Sequence, residues 1–435
     1  MKKIVKILSL VCCSFFLFTS CVSRKIDATL LKEPAQATAL AYKDAKNDEN
    51  LIAFRQKAET FAAEFSANVY AEQTKKTNYT VSPVSVFMAL SLAAECAEGE
   101  TRSQILSALG VSHEELQSEI SKLYRQLNEI HERQKKETGR IKLTNSIWLS
   151  NGFQPKASAL QPLAEKYFCY SYQADFLNEN QKANQAVRNF IYRETNKLID
   201  PVLNFSKDTL FTLINTLYLK DVWNDLGKDM DMTKENYTFT ETGGKTESLK
   251  LLFGEYKSGK PYEGETFTSF HVSTYNGYRI QFLLPKEGYT ADEIFTAENI
   301  TEAKNCDYTV KDDDKMEKYY TRCFFPEFSA SFDGDVKNVL TQNFWVSDLF
   351  DENLCDMTNL SDEPLYCKEV RHITKLKVDR KGIEGAAVTL MPGVGAAAPG
   401  EYKRVYLQFI VDKSFGFVLT DYYGTTLFSG VIHTV

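Results

Sequence analysis

The sequence predicts a mixed α+β fold. The part that follows the N-terminus shows helical apolar spacing. The remainder shows many long strand-like runs, and no repeat or low-complexity block divides the chain. A hydrophobic content of 43% and a charged content of 25% are ordinary for a globular protein, and 435 residues allow a large core.

The first segment is a targeting signal. Lys2, Lys3 and Lys6 form a basic region before an apolar run, Ile7 to Phe18, too short to favour a spanning helix. The run ends at Phe18-Thr19-Ser20-Cys21, which resembles a bacterial lipobox. On that reading residues 1–20 are a lipoprotein signal peptide and Cys21 carries the lipid. The protein is then anchored to the cell envelope, facing the periplasm or the outside. An ordinary secretory signal is the alternative. Residues 21–50, polar and alanine-rich, are expected to form a flexible tether, and residues 51–435 the folded domain.

Within the domain, Phe54, Ala58, Phe61, Phe65 and Val69 recur at helical spacing. Asn78 to Ser85 reads as a short strand feeding a helix from Val86 to Ala97, which is apolar on most sides and therefore buried, and which Gly99 ends. Thr101 to Leu109 starts another helix, Leu143 to Leu149 is a strand, and Ala186 to Ile199 is helical up to Pro201. Thr209 to Leu219 is a long apolar stretch holding Asn215. Arg279 to Leu284 is a strand ended by Pro285, and 301–318 is charged and solvated. Cys323 to Phe332, Leu365 to Val378, Tyr406 to Val411, Phe415 to Thr420 and Thr426 to Ile432 read as strands.

Composition excludes several functions. A formal charge of -7 argues against a nucleic-acid surface. The five histidines lie at no metal-ligand spacing and no cysteine pair forms CxxC, so a zinc site is not expected. Nothing calls for a cofactor, and a monomer is expected. Of nine cysteines, six follow Cys21. An oxidising compartment allows disulfides among them, but their spacing leaves the connectivity open.

The most informative stretch runs from Lys375 to Gly400. Alternating Lys375-Leu-Lys-Val-Asp-Arg380 leads through Lys381 to Gly382, then to Ile383-Glu384-Gly385-Ala386-Ala387-Val388-Thr389 and to Leu390-Met391-Pro392-Gly393-Val394-Gly395-Ala396-Ala397-Ala398-Pro399-Gly400. Loops are normally polar, yet this one is long, poor in charge and built of residues small enough to lie between two strands. It reads as a segment exposed at first and able to become a central strand later.

That stretch resembles the hinge and reactive-centre loop of the serpins, and separated motifs over about 50–435 extend the resemblance. They are Asn78 with Ser82-Pro83 and Ser85; Ala97-Glu98-Gly99-Glu100-Thr101 with Gln104; Asn215 to Lys220 with Trp223; Phe325-Pro326-Glu327-Phe328; Val370-Arg371-His372; and Phe415 to Leu419 with Leu427 to Gly430. Asp221 stands where the family usually has Gly. The resemblance implies helices packed on three β-sheets and a metastable, non-catalytic protein whose reactive loop spans about 382–404. A target serine protease, or a cysteine protease, would cut the loop and be trapped as an acyl-enzyme when the loop inserts into the main sheet. The alternative is a non-inhibitory serpin that serves as protease substrate or binding protein. Pro392 and Gly393 favour that alternative, and Ala386 to Thr389 oppose it.

The family's motifs assign residues to roles. Arg380, Gly382, Ile383, Glu384, Gly385, Ala386, Ala387, Val388 and Thr389 form the hinge. Asn78, Ser82, Ser85, Asn215 and His372 form a cluster beneath the main sheet, where Ser82, Asn215 and His372 are expected to meet. A Ser-His hydrolase dyad is the rival reading of Ser82 and His372, but no G-x-S-x-G elbow surrounds Ser82. Trp223, Glu327 and Arg380 lie at the top of the sheet, where Arg380 and Glu327 are expected to form a charge-swapped pair. The distance from Gly382 places the cut at Ala396-Ala397, suiting an elastase-like or subtilisin-like enzyme. Counting back from the final strands gives Lys403 or Arg404 and a trypsin-like one.

Overall fold

The computed structural model describes residues 24–128, 140–223, 229–257, 259–308, 317–383 and 403–435. Residues 1–23 with Cys21, and residues 384–402 with Glu384 to Thr389, Ala396 and Ala397, lie outside them. In chain order the strands are β1 (Thr29–Lys32), β2 (Tyr79–Val81), β3 (Arg140–Ser150), β4 (Cys169–Ala174), β5 (Phe211–Val222), β6 (Tyr237–Thr240), β7 (Thr246–Leu249), β8 (Leu252–Lys257), β9 (Tyr262–Glu263), β10 (Phe267–Ser273), β11 (Arg279–Pro285), β12 (Glu317–Phe325), β13 (Phe328–Asp335), β14 (Arg371–Asp379), β15 (Gly382–Ile383), β16 (Lys403–Ile410), β17 (Phe415–Thr420) and β18 (Thr426–Ile432). The helices are α1 (Tyr42–Asn47), α2 (Glu49–Ala71), α3 (Pro83–Cys96), α4 (Gly99–Leu109), α5 (His113–Leu127), α6 (Ala157–Glu165), α7 (Asn180–Glu194), α8 (Ala291–Ile294), α9 (Ala297–Asn305) and α10 (Lys337–Asn343).

The main sheet has the order β1-β4-β3-β5-β15-β14-β13. A six-stranded sheet runs β2-β18-β17-β11-β10-β9, a three-stranded sheet β16-β12-β8, and β6 and β7 add a ribbon. One large core fills the space between the main sheet, the six-stranded sheet and α3, and takes Leu217 and Leu219 of β5. A second cluster lies on the other face of the main sheet, where Ile214 of β5 and Trp148 of β3 meet Val187 and Phe190 of α7. The period-2 alternation of β5 thus sends odd residues to the large core and even ones towards α7.

Local sequence explains the main elements. α3 is buried almost all round, with Pro83 at its first turn, as its continuous apolar run requires. Ser112 and Glu115 form a capping box at the start of α5. Gly430 of β18 could not be another residue: a Cβ there would lie 2.0 Å from the Tyr79 carbonyl oxygen of β2.

Several expectations differ from the structure. Residues 24–50 are not a free tether over their described length. Thr29–Lys32 pairs with β4 as an edge strand, and Asp48 caps α2 by accepting from Leu51 N–H at 3.1 Å. Arg24 makes a bidentate contact with Asp200 at 2.7 and 3.0 Å, and Asn189 of α7 donates to the Lys25 carbonyl at 2.7 Å. α7 stops at Glu194 rather than Ile199, because Asn196 and Lys197 take positive φ angles of 51° and 71°. The run expected from Cys323 to Phe332 is two strands in two sheets, parted at Pro326, which has no N–H for a ladder.

Candidate functional site

The site is the seam between β5 and β14. β14 alternates as its sequence demands: His372, Thr374, Leu376 and Val378 face the core, while Lys375 and Lys377 face solvent. The chain then turns through Arg380 and Lys381 and comes back into the sheet at Gly382, whose φ of 153° suits glycine. β15 is antiparallel to both neighbours, with Gly382 opposite Asp379 and Val222, and Ile383 opposite Val378 and Asp221. Ile383 is fully buried.

Below Ile383 the described residues contain no ladder between β5 and β14; β5 pairs with β3 and β14 with β13. Clefts occupy that seam. One has Ile214, Asn215 and Thr216 of β5 on one wall and Arg371 and Ile373 of β14 on the other, under Ile191 of α7. A second continues it downward between Asp208, Phe211 and Thr212 on one side and Tyr366 and Lys368 on the other. Asn215 Oδ1 and Thr216 Oγ1 are buried there without a hydrogen-bond partner among the described residues. Buried polar atoms are normally satisfied, so the middle of β5 has unused bonding capacity.

At the top of the seam, the Trp223 indole donates to the Asp379 carbonyl at 2.7 Å and its ring meets Phe325 edge-on. The expected Arg380–Glu327 side-chain pair is not formed. Glu327 Oε1 instead accepts from the backbone N–H of Arg380 at 2.7 Å, while the Arg380 guanidinium turns to Asp229 Oδ2, 2.6 Å from Nε. Two partly exposed side chains in an ion pair contribute about 0–1 kcal/mol. A carboxylate bonded to a turn N–H contributes about 1–2 kcal/mol and fixes the backbone. Glu327→Ala is therefore expected to lower the melting temperature and raise polymer content on native gels, and Asp229→Asn to leave both nearly unchanged.

In the cluster below, His372 Nε2 accepts from Ser82 N–H at 3.0 Å, and Ser82 and Ser85 hydroxyls bond at 2.9 Å. Ser82 Oγ is thus turned to Ser85, and it is the Ser82 amide that meets the imidazole. Asn78 does not join them. Its amide holds the C-terminus, accepting from His433 and Thr434 N–H and donating to the Ser329 and Thr434 carbonyls. Asn215 does not join them either: it donates to Asn145 Oδ1 at 2.5 Å across the β3–β5 ladder. The expected meeting of Ser82, Asn215 and His372 is therefore only the Ser82–His372 half, because β15 and the seam separate β5 from β14.

Burial pushes His372 down to about 3, so the ring is neutral, as an acceptor must be. A folded-state pKa below the unfolded value near 6.5 gives stability that is present above about 6.5 and is lost as pH falls toward about 3. The loss for this group is about 1.4 kcal/mol per pH unit. His372→Gln, which keeps an acceptor at the same reach, is expected to flatten that part of the profile when urea midpoints of the two proteins are compared between pH 7 and 4.

Lys403 and Arg404 open β16 and sit in parallel register with Glu317 and Lys318 of β12. Reading the sequence alone missed Asn145 and Asp229, whose approach is purely tertiary, and noted Asp221 only as a departure from a usual glycine.

Comparison with known proteins gives the setting. A family model described as Serpin (serine protease inhibitor) matches residues 56–434. Alpha-1-antiproteinase S of Cavia porcellus is 24% identical over 375 residues, covering 81% of this chain and 86% of that protein. Among solved structures, the native state of tengpin, a thermophilic serpin, superposes with a TM-score of 0.71 at 22% identity, covering 94% of this chain and 100% of that one. Human thyroxine-binding globulin complexed with its hormone also gives 0.71, at 19% identity over 88% of this chain and 99% of that one.

Proposed function

The chain belongs to the serpin family, whose members are in general protease inhibitors rather than enzymes, and from that premise we propose that it is an irreversible, suicide-type inhibitor of serine proteases. The supporting observation is the seam: two adjacent strands joined, among the described residues, only through Gly382 and Ile383, with clefts and polar atoms that no described residue satisfies below. A protease takes the loop as substrate, its nucleophile displaces the amine of the cut bond, and the acyl group stays on the enzyme. The freed segment then continues β15 downward.

The register of β15 says what it would meet. Two residues at a time from Ile383, Gly385 falls opposite Leu219 and Leu376, Ala387 opposite Leu217 and Thr374, Thr389 opposite Asn215 and His372, and Met391 opposite Leu213 and Val370. Facing residues share a side of the sheet, here the core side, and this set is uncharged and mostly small. Pro392 falls opposite Thr212 and Glu369, two places past the end of β14, so its missing N–H costs at most one bond at the foot of the insert. That weakens the substrate-only reading that Pro392 supported. The placement of Lys403 and Arg404 inside a ladder supports the hinge count and the bond Ala396–Ala397, because a protease needs an extended chain with free edges. An alanine on the acyl side suits a small apolar pocket of the elastase or subtilisin kind.

Incubation of the full chain with pancreatic elastase tests this. The expected result is a complex that survives boiling in detergent, with release of a C-terminal peptide whose mass places the cut at Ala396–Ala397. Clean cleavage without a complex would overturn inhibition and leave a substrate-like serpin.

A further inference from the structure

The hinge is seated over a buried acid. Asp221 lies directly opposite Ile383 in the ladder and is itself 0% exposed. Its oxygens accept from the turn joining β10 to β11: from the Thr274 hydroxyl, from Asn276 N–H at 3.1 Å and from Asn276 Nδ2 at 2.6 Å. Among the described residues no cation pairs with it. Asn276 Oδ1, beside it, is buried without a partner among the described residues. An ionised carboxylate held away from water and positive charge is unfavourable, so the seated hinge and the charge oppose one another.

We propose that Asp221 is a positioning residue of the hinge: seating of Gly382–Ile383 between β5 and β14 is coupled to protonation of its carboxylate, so mild acid favours the seated hinge and neutral pH the released one. Ile383 is the lid. With it in the sheet the acid is cut off from solvent; with it out, the acid is hydrated. Burial accordingly pushes Asp221 up to about 6 in the seated form, whereas a hydrated aspartate titrates near ~4. A raised value means that the protonated form favours seating, and that this advantage is lost as pH rises through about 6. The site accommodates both forms. The Thr274 hydroxyl lies 3.2 Å from the Tyr278 carbonyl, so it can turn its proton there and accept from a neutral carboxyl group instead.

The charged groups on the surrounding elements are otherwise engaged. Lys220 alternates to the other face of β5, in register with Arg140 of β3. Asp379 of β14 accepts from Lys377 Nζ at 2.6 Å and from Lys381 N–H at 2.7 Å. Arg380 is held by Asp229, and Glu327 by the Arg380 amide. Arg279 at the start of β11 is exposed, and Tyr275 and Tyr278 are the other titratable residues of the turn. His271 of β10 is neutral in this range, since burial pushes it down to about 3. Of the groups named on these elements, Asp221 is the one that burial moves into the range between pH 5 and 7.5.

The proposal rests on the seated hinge and not on protease inhibition, so the two can fail separately. Amide hydrogen exchange of the peptide containing 381–383, in the full chain and corrected for intrinsic rates, reads it. Protection at Ile383 is expected to rise about tenfold from pH 7.5 to 5, to be independent of pH in Asp221→Asn, and to keep its slope in Asp221→Glu. Asp221→Gly, the smaller replacement, serves if the Asn variant does not fold. A flat wild-type profile would overturn the proposal. So would a variant that shifts protection equally at every pH, since that is a structural effect without proton coupling.

Discussion

A single cut between Val394 and Lys403 is expected to raise the melting temperature by ~10 °C or more. The reason lies in the inner edges of β5 and β14, which below Ile383 are unpaired among the described residues. Continuing β15 down the seam adds on the order of ten backbone hydrogen bonds at ~1 kcal/mol each, besides burying the side chains that follow Ile383. A chain of this size has an unfolding entropy near ~0.8 kcal/mol per degree, so ~10 kcal/mol corresponds to roughly 12 °C. The uncut loop cannot collect this easily, because both its ends are held, Ile383 between β5 and β14 and Lys403 in β16. From Ile383 to Gly393 the insert covers ~33 Å. The return from Gly393 to Lys403 has at most ~35 Å of fully extended chain in which to retrace that distance. The proposed mechanism thus has the intact state held by a lack of slack rather than by a lower free energy. Circular dichroism melts of intact and nicked protein measure this directly. If the nicked form melts no later than the intact one, insertion releases nothing and the inhibitory mechanism fails.

How far the molecule was legible beforehand follows from the kind of information each part needs. Phe415 to Thr420 and Thr426 to Ile432 coincide with β17 and β18, because a dense apolar run between turn residues is a local signal. The edge strand Thr29–Lys32 was invisible, because four half-exposed residues carry no pattern and gain their order from β4 and α6. Of the site, the motif around Ser82-Pro83 led correctly to His372. It placed Asn215 with them wrongly, since whether β5 touches β14 depends on what stands between the two strands. Glu327 was picked out by its place after Pro326, yet its partner proved to be a backbone N–H, which every residue but proline has. Asp229 and Asn145 had no signal at all. Hydrogen-bond partners across the fold are set by geometry that a single chain of letters does not contain.

The residue on which most depends is one that must move. In the inserted register Thr389 enters between Asn215 and His372, where Asn215 Oδ1 has no partner among the described residues and a hydroxyl can donate to it. Thr389→Arg would bring a charge that cannot be neutralised into a position flanked by a buried, neutral imidazole. Burial of an unpaired charge costs several kcal/mol, enough to stall the strand half-way. The acyl-enzyme would then be reached with its active site undistorted and would hydrolyse. The expected outcome is a loop cut at the wild-type rate, a covalent complex yield reduced to less than about a tenth, and a cleaved product that has lost most of its gain in melting temperature. Ala386→Arg is the matched control. In the same register it falls on the other face of the sheet, opposite exposed Lys375 of β14 and buried Tyr218 of β5, so the added charge keeps water on its β14 side and like-charge repulsion there amounts to a fraction of a kcal/mol. Complex formation by Ala386→Arg with its loss in Thr389→Arg would establish the direction and register of insertion together. Equal complex yield in both would show that the segment after Ile383 does not enter the seam in the register that β15 begins.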